Sequence, residues 1–173
     1  MEHIKYEIKR AENKDALEIY NLMKGTHNSM KDKEMFVCDD YEFVSRHINE
    51  EGFILKAVLE NKIIAALIIR FPKFSKDNLA YDLKLDKKYY ELIAHAESAV
   101  VALKYQGNAI FKNMLIAAER EVLKCGYKYM AATVSPSNYA SSQTFVKCGF
   151  KLMLTKEKYG GLIRGIYFKD SLC

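Results

Sequence analysis

A carboxylate and an imidazole, Glu97 and His95, lie in the otherwise apolar segment 93–101. Alternation along a strand groups four residues on one face: His95, Glu97, Ala99 and Val101. Burial beside a ligand would raise the pKa of the Glu97 carboxyl toward neutrality, which a general base requires. Glu97 is therefore the candidate catalytic base and His95 a second one. The alternatives are that Glu97 lies at the exposed start of the strand, paired with a lysine, and that His95 is a surface residue or a hydrogen-bonded core residue.

The segment that follows, residues 101–115, is suited to binding a phosphate. It runs from the apolar strand through a turn with one glycine, Gly107, into an amphipathic helix. The first turn of a helix has N–H groups without partners and the positive end of the helix dipole, so an anion binds there. Gly107 lets the backbone approach a ligand closely, and Ala109 keeps a nearby position small. The two common nucleotide-binding loops are excluded, because the chain lacks G-x-x-x-x-G-K-[ST] and has no G-x-G-x-x-G after a strand.

A second segment, residues 134–150, carries polar, aromatic and glycine residues at fixed spacings: Asn138, Ser141, Phe145, Gly149 and Phe150. Together with residues 104–109, it resembles the GNAT superfamily of acyl-CoA N-acyltransferases. The patterns of that superfamily are [Q/R]-x-x-G-x-[G/A] and N-x-x-[A/S]-x-x-x-[Y/F]-x-x-x-G-F. Lys104 occupies the first slot of the former, and Leu103 and Gln106 replace the proline and arginine of its longer form, V-x-P-x-Y-R-G-x-G. The resemblance covers the chain from Ile4 to Asp170.

The resemblance implies a fold and a co-substrate. The fold is a single α/β domain over residues 1–173, with a mixed, mostly antiparallel sheet of seven strands flanked by about four helices. The co-substrate is acetyl-CoA, without a metal. A splay between the fourth and fifth strands would open a slot for the pantetheine arm, beside backbone N–H groups near Val101 and Leu103. The implied coenzyme-binding residues are Val101, Ala102, Leu103, Gln106, Gly107, Asn108, Ala109, Ile110, Asn138, Ser141 and Phe145.

The implied reaction moves an acyl group from a thioester to an amine, which needs a base, donors for the oxyanion and, in many enzymes, an acid for the thiolate. Several superfamily members carry a glutamate in the fourth strand, where Glu97 lies. Many have a tyrosine at the position of Phe145, which has no proton to donate. Another hydroxyl could serve, or the thiolate could leave unaided, since a thiol pKa of ~8.5 makes it a fair leaving group. The candidate hydroxyls are Tyr139, Ser141, Ser142 and Tyr159.

Composition and charge limit the domain count, the location and the partners of the protein. The 173 residues, half of them hydrophobic, suffice for one core. No apolar run approaches the ~20 residues of a membrane span, and the N-terminal residues have no signal-peptide pattern, so we expect a cytoplasmic protein without a membrane partner. The net charge of +5 is dispersed among 22 acids, which suits a phosphorylated coenzyme and does not indicate nucleic-acid binding. Four scattered cysteines are expected to remain reduced: Cys38, Cys125, Cys148 and Cys173.

Periodicity and turn residues predict the elements. Asn13 is expected to cap the first helix and Gly25 to end it, and Asp39 is expected to begin the second. The predicted order is strand 4–10, helix 14–24, helix 40–49, hairpin 53–59 and 63–69, strand 93–103, helix 107–125, strand 128–134, a short helix from Asn138 and a last hairpin turning at 159–161. Residues 72–92 are the least family-like part, either a peripheral helix packed by tyrosines or a lid over the acceptor.

Two hypotheses of function follow. The first is an acetyl-CoA-dependent N-acetyltransferase acting on a primary amine of a small molecule or peptide. The second is a catalytically inactive acyl-CoA-binding module, a sensor or interaction protein, which the loss of the tyrosine at Phe145 favours. Asn138 has two roles open to it, capping its helix or bonding the pantetheine arm. Dimers are frequent in the superfamily, so a homodimer is an open alternative.

Overall fold

The computed structural model describes residues 4–170 and Leu172. Seven strands form one sheet in the order β1-β2-β3-β4-β5-β7-β6, and β4 and β5 are its one parallel pair. The strands are β1 (Glu7–Arg10), β2 (Gly52–Leu59), β3 (Lys62–Arg70), β4 (Ile93–Val101), β5 (Tyr129–Val134), β6 (Lys151–Lys158) and β7 (Leu162–Lys169). The predicted seven-stranded, mostly antiparallel sheet is confirmed.

Helices cover both faces of this sheet. They are α1 (Ala16–Ser29), α2 (Tyr41–Asn49), the one-turn α3 (Leu79–Asp82), α4 (Ile110–Lys124) and α5 (Tyr139–Lys147). Short 3-10 segments occur at Asn13–Asp15, Lys33–Met35, Lys87–Leu92 and Leu103–Tyr105. The apolar rows of α4, together with Phe145 of α5, pack on Leu67 and Ile69 of β3. Helices α1 and α2 pack on the opposite face, against Ile68. The four helices of nine residues or more are the four that the pattern predicts.

The end of α1 and the cap of α2 differ from their predictions. Helix α1 continues through Gly25 to Ser29, because the carbonyl groups of its last turn find donors: Ser29 Oγ bonds the Gly25 carbonyl, and Lys33 Nζ bonds those of His27 and Asn28. Helix α2 is capped by Asp40, whose Oδ1 accepts the Phe43 N–H at 2.7 Å. The preceding aspartate, Asp39, is turned away from the helix.

Strands β4 and β5 diverge soon after they meet. They are paired over three residues only, from Ile93 opposite Tyr129 to His95 opposite Ala131. Beyond that point β4 pairs with β3 alone and β5 with β7 alone. The sheet therefore opens at its centre, which is the splay that the resemblance implies.

A bulge in β4 falls on Glu97. Ala96 pairs with Ile69 of β3 and Ser98 with Ile68, so Glu97 has no partner in the β3–β4 register. The extra residue exchanges the faces of the strand. Ala96 contributes to the core under α4 before the bulge, and Ala99 and Val101 pack there after it. The prediction that His95 shares a face with Ala99 and Val101 is wrong for this reason.

Residues 72–92 are packed against the sheet. Tyr90 contacts both Phe74 and Tyr81, and Tyr89 meets Tyr129 of β5 edge to face. Leu79 of α3 is buried with Ile93 of β4. This is the peripheral packing by tyrosines, although it is built from one α-helical turn and a 3-10 segment. None of the helices in the described residues is both long and apolar enough to cross a membrane.

Candidate active site

Two cavities meet where β4 and β5 part. The larger, of about 570 Å³ and called here the slot, is lined by residues of α4 and α5 and by the segment 35–37. The smaller, of about 340 Å³ and called here the side cavity, lies against α3 and the β6–β7 hairpin. Four residues line both cavities: Ala96, Glu97, Thr133 and Tyr159. Glu97 is the one charged residue of these four, so a ligand in either cavity can reach its carboxylate.

His95 positions the Glu97 carboxylate. The imidazole Nε2 accepts the backbone N–H of Leu79 at 3.2 Å, which leaves the ring proton on Nδ1. Nδ1 in turn lies 3.4 Å from Glu97 Oε2. His95 is a buried histidine with both nitrogens engaged, and the bulge turns its neighbour Glu97 into the opening. The alternative prediction paired Glu97 with a lysine, but its partner in the structure is His95.

The pKa of the Glu97 carboxyl lies below its ordinary value. Burial acts to raise this pKa, but the contact with the His95 Nδ1–H and the positive charge of Arg70 outweigh it. The prediction of a raised Glu97 pKa is wrong. Burial alone would raise this pKa, but the buried carboxylate also meets the His95 N–H and the charge of Arg70, which favour its ionised form. Glu97 is ionised at neutral pH and can accept a proton without first losing one.

Arg70 fixes residues 72–92 to β3. Its guanidinium donates to both carboxylate oxygens of Asp77, at 2.7 and 3.0 Å. The hydrogen bond from Arg70 lowers the pKa of Asp77 far below its usual range, against the effect of burial. Both residues line the side cavity beside Leu79. The segment is therefore a fixed wall of that cavity.

A second titratable carboxylate, Asp39, lies next to the bulge. Asp39 Oδ2 accepts the hydroxyl of Ser98 at 2.5 Å. Burial raises the pKa of Asp39 to about 6; the Ser98 hydrogen bond opposes this, and the charges of Glu97 and Asp40 add to it. The pattern missed Asp39 because it assigned the residue to a helix cap. The available signal was that two adjacent aspartates compete for one cap position.

Tyr159 supplies a hydroxyl group at the opening between the cavities. It lies in the β6–β7 turn, and its Oη is 2.9 Å from Thr133 Oγ1 of β5. Burial, aided by the charge of Glu97, raises the pKa of Tyr159, so the phenol keeps its proton at neutral pH. Of the other candidate hydroxyls, Ser141 lines the slot, whereas Tyr139 is 77% exposed and, like Ser142, lines neither cavity.

The turn before α4 has the geometry of an anion site. Gly107 has a φ of +80° and faces open space, with no atom within 4 Å of where a Cβ would lie. Ala109 is the N-cap at a φ of 55°, and α4 begins at Ile110 rather than at the predicted 107. No side chain of the described residues caps this helix, so the N–H groups of its first turn are left for a ligand. Asn108 Nδ2 holds the turn by donating to the carbonyls of Tyr105 and Gln106.

The end of β4 directs backbone donors away from β3. The Ala102 N–H bonds the Ile64 carbonyl of β3 at 2.9 Å, which makes these two a hydrogen-bonded pair. Pairs alternate along an antiparallel ladder, so the N–H groups of Val101 and Ala99 point away from β3, on the side where β4 and β5 part; Ala99 lines the slot, and Val101 lies two residues further along the strand. Gln106 Nε2 holds the adjoining carbonyl of Val101 at 3.1 Å. The sequence pattern missed the backbone N–H of Ala99. The Ala102 N–H is already bonded to β3, and Leu103 is exposed beyond the end of β4.

Helix α5 forms the opposite wall of the slot. Asn138 caps it, with its Oδ1 accepting the Ser141 N–H at 3.1 Å, and both residues line the slot. Phe145 is buried, edge-on to Phe111 of α4 and to Phe150. These aromatic contacts keep the floor of the slot apolar, as a thioester arm requires.

The comparisons with known proteins agree with this geometry. Residues 16–150 match the model of the Acetyltransferase (GNAT) family. The chain belongs to this family. The predicted resemblance is confirmed, and it covers most of the chain. The sequence of this GNAT protein matches no protein of curated function at a significant level.

Several solved structures share the GNAT fold with this chain at low sequence identity. An N-acetyltransferase from Staphylococcus aureus Mu50 is 18% identical with a TM-score of 0.71, over 96% of this chain and 98% of its own. The ribosomal-protein-S18-alanine N-acetyltransferase from Escherichia coli is 15% identical with a TM-score of 0.70, over 98% and 96%. The protein yncA from Salmonella typhimurium, solved with its cofactor acetyl-CoA, is 16% identical with a TM-score of 0.69, over 96% and 94%.

The GNAT family uses acetyl-CoA, and the residues of this member fit that co-substrate. The uncapped first turn of α4 suits a pyrophosphate, and the N–H groups of Val101 and Ala99 that point away from β3 suit the amide and thioester oxygens of an extended arm. The apolar surface of Phe145 and the open approach at Gly107 leave the space. Of the coenzyme-binding residues predicted from the sequence, Asn138, Ser141 and Phe145 line the slot, and the others lie at the end of β4, in the turn before α4 or at the start of α4; their binding role stays a prediction.

None of the cysteines in the described residues lines the slot or the side cavity. Cys38, Cys125 and Cys148 are free thiols, and Cys148 is buried, where burial raises its pKa. Cys173 lies outside the described residues. Residues 4–170 and Leu172 contain no group of three or more His, Cys, Asp or Glu that could hold a metal ion.

Proposed function

We propose that this GNAT protein is an N-acetyltransferase that moves an acetyl group from acetyl-CoA to a primary amine of a small molecule or peptide. The observation that carries the proposal is that the slot and the side cavity meet at one ionised carboxylate, Glu97. The coenzyme arm occupies the part of the slot between α4 and α5, and the amine reaches Glu97 from the opposite face of the sheet, on which α3 packs. The proposal places the protein in the cytoplasm, on its composition and its reduced cysteines, and leaves room for a homodimer.

The chain contributes three groups to the transfer. Glu97, directly or through a water molecule, takes a proton from the acceptor ammonium so that its nitrogen lone pair is free. The N–H of Val101, which points away from β3, stabilises the negative charge that develops on the thioester oxygen. The nitrogen–carbon bond forms, the carbon–sulfur bond then breaks, and Tyr159 donates its phenol proton to the departing sulfur. The second proton of the nitrogen passes through water to the Tyr159 phenolate, and the proton that Glu97 took is released to solvent. Tyr159 thus fills the role left open by Phe145.

The proposal is tested by thiol release from acetyl-CoA with a panel of primary amines and short peptides. We expect amine-dependent release of one thiol per acetylated product, with the product confirmed by mass spectrometry. Coenzyme affinity is measured separately by calorimetry. If acetyl-CoA binds but no amine supports release, the chain is the acyl-CoA-binding module of the second hypothesis, and the enzymatic proposal is wrong.

Tyr159→Phe tests the acid. It keeps the ring and removes the proton, so kcat should fall at least about tenfold while acetyl-CoA affinity persists; the fall stays moderate because a thiolate is a fair leaving group. Tyr139→Phe, in the exposed first turn of α5, is the matched control and should leave the rate unchanged. An unchanged rate in Tyr159→Phe would show that the thiolate leaves without this acid.

A further inference from the structure

Arg164 of β7 is a buried cation in the wall of the slot. Arg164 is 4% exposed, and its guanidinium lies 6.0 Å from the ring centre of Tyr159. Its hydrogen bonds go to uncharged carbonyl groups: Nη1 donates to Ile163 O at 2.9 Å, and Nη2 donates to Glu34 O. The guanidinium group of an arginine is a cation with five N–H donors in a planar fork.

Arg164 differs from every comparable cation in the chain. Five lysines and arginines of residues 4–170 are buried or partly buried: Lys56, Arg70, Lys158, Arg164 and Lys169. Four of them contact a carboxylate, at 2.5–2.7 Å, from Asp15, Asp77, Asp82 and Glu119 respectively. No carboxylate of the described residues lies within ion-pair distance of Arg164. Removing a charge from water is costly unless an opposite charge is supplied, so Arg164 is suited to an anionic ligand.

The face of the sheet indicates which ligand supplies that charge. Arg164 lies two residues from Ile166, which is buried with Leu79 of α3 and with Ile93. It therefore projects to the α3 face, where Thr133 and Tyr159 also meet. The anion site of the coenzyme is on the other face, at the start of α4. A second anion bound at Arg164 is accordingly part of the acceptor.

We propose that Arg164 binds a carboxylate of the acceptor, and hence that the acceptor is a primary amine that also carries a carboxylate, such as a free amino acid. The planar guanidinium fork matches the two oxygens of a carboxylate. Glu97 lines the same slot and would meet the amine end of such a molecule. This inference rests on the proposed acetyl transfer and names the substrate class for it.

The test compares free L-amino acids with their carboxamides as acceptors of acetyl-CoA, in the thiol-release assay. Each pair differs in the charge that Arg164 would bind and in the pKa of the amine, which the carboxylate raises, so the acid-to-amide ratio of Arg164→Gln serves as the reference for each pair. We expect the wild-type protein to favour the acids at least about tenfold in kcat/KM, the equivalent of about 1.4 kcal/mol. Arg164→Gln should abolish this preference and leave rates with the amides within threefold. Arg164→Lys, which keeps the charge but has no planar fork, should show a preference for acids between those of the wild type and Arg164→Gln.

Controls separate recognition from a structural role. Lys169→Gln removes a partly buried cation of the same strand that is paired with Glu119, and should lower stability without altering the ratio of acid to amide. An equal loss with acids and amides in Arg164→Gln would mean that Arg164 only holds the Glu34 carbonyl, and would overturn the inference. So would a wild-type protein that uses both forms equally.

Two further experiments test another source of the carboxylate and the case in which no amine is acetylated. If succinyl-CoA, with its acyl carboxylate, shows the Arg164 dependence and acetyl-CoA with amino acids does not, the acceptor assignment is wrong. If no amine supports thiol release, the proposed function fails, and the inference is read from binding instead. Free amino acids, but not their amides, should then raise the melting temperature of the CoA complex of the wild type and not of Arg164→Gln. The absence of that difference would contradict the inference.

Discussion

The two sides of the central opening use different parts of the chain. On the coenzyme side, the groups offered to a ligand are backbone N–H groups of β4 and of the α4 turn, and side chains such as Gln106 and Asn138 hold that backbone in place. On the acceptor side, the polar groups offered are side chains: Glu97, Tyr159 and Arg164.

This difference bears on what the sequence could predict. The turn and the cap of the coenzyme side follow from local patterns. On the side proposed for the acceptor, Glu97 and Tyr159 are candidates from the sequence, whereas Arg164 is not. A site built from backbone depends on where glycine and capping residues allow the chain to turn, which is a local property. A site built from charged side chains depends on which distant segments meet, and each charge is set by its neighbours. Substitutions should therefore separate the two sides cleanly, with acceptor-side changes affecting rate and coenzyme-side changes affecting affinity.

The largest effect is expected from Glu97→Gln, which keeps shape and hydrogen bonding but cannot take a proton. The rate with a working acceptor should fall by ~10²–10⁴, the usual contribution of a positioned base, while acetyl-CoA affinity persists. Since the Glu97 pKa is lowered from 4.5, its acidic limb in the pH–rate profile lies below that pH. A limb near pH 6 would instead report Asp39. A variant within threefold of the wild type would remove Glu97 from the chemistry.

Asp39→Asn should stabilise the free protein, by an amount that depends on pH. The folded-state pKa of about 6 exceeds the ordinary 3.8, so the folded protein holds this proton more tightly than the unfolded chain does. Stability due to the protonated form is therefore complete below pH 4 and is lost as pH rises through 6, by up to about 3 kcal/mol. Denaturant unfolding at pH 4 and pH 7 should show the advantage of Asp39→Asn growing with pH. A constant difference would place the Asp39 pKa near its ordinary value.

Gly107→Val should weaken acetyl-CoA binding at least about tenfold, the equivalent of about 1.4 kcal/mol, because a branched side chain blocks the approach to the turn. The fold should survive, since a Cβ at Gly107 meets no atom within 4 Å, although its φ of +80° adds local strain. Ala109→Gly is the matched control, because it relieves a φ of 55° and adds no bulk. Calorimetry should find Ala109→Gly close to the wild type. Unchanged affinity in Gly107→Val would contradict the anion-site assignment.

The smallest effect is expected from Asn138→Ala. Loss of the cap bond to the Ser141 N–H should lower the free energy of unfolding by about 1 kcal/mol. The structure assigns Asn138 the capping role, so the dissociation constant for acetyl-CoA should rise only as far as α5 frays. Asn138→Ser, which can also cap, should recover most of the stability. Weaker coenzyme binding without a loss of stability would instead give Asn138 the ligand role.

Strong local signals made most of the fold predictable. Alternation marked the strands, and Asn138 and the glycine turn at Gly107 marked helix starts, because each depends on neighbouring residues. Prediction failed where a second partner competed. Asp39 and Asp40 are equivalent as caps in sequence, and the nearby Ser98 hydroxyl decides between them. Gly25 is an ordinary helix terminator, but Lys33 supplies donors that let α1 continue.

The sequence by itself determined the family and the seven strands, and it predicts the residues of the coenzyme side, because these follow from spacing along one chain. Only the tertiary structure decided the chemistry of the opening. The bulge at Glu97 changes the faces of β4, and His95 then lowers the pKa that burial alone would raise. The isolation of Arg164 from every described carboxylate likewise depends on strands and loops far apart in sequence. Pairing registers and electrostatic neighbours are non-local, so no pattern along the chain contains them.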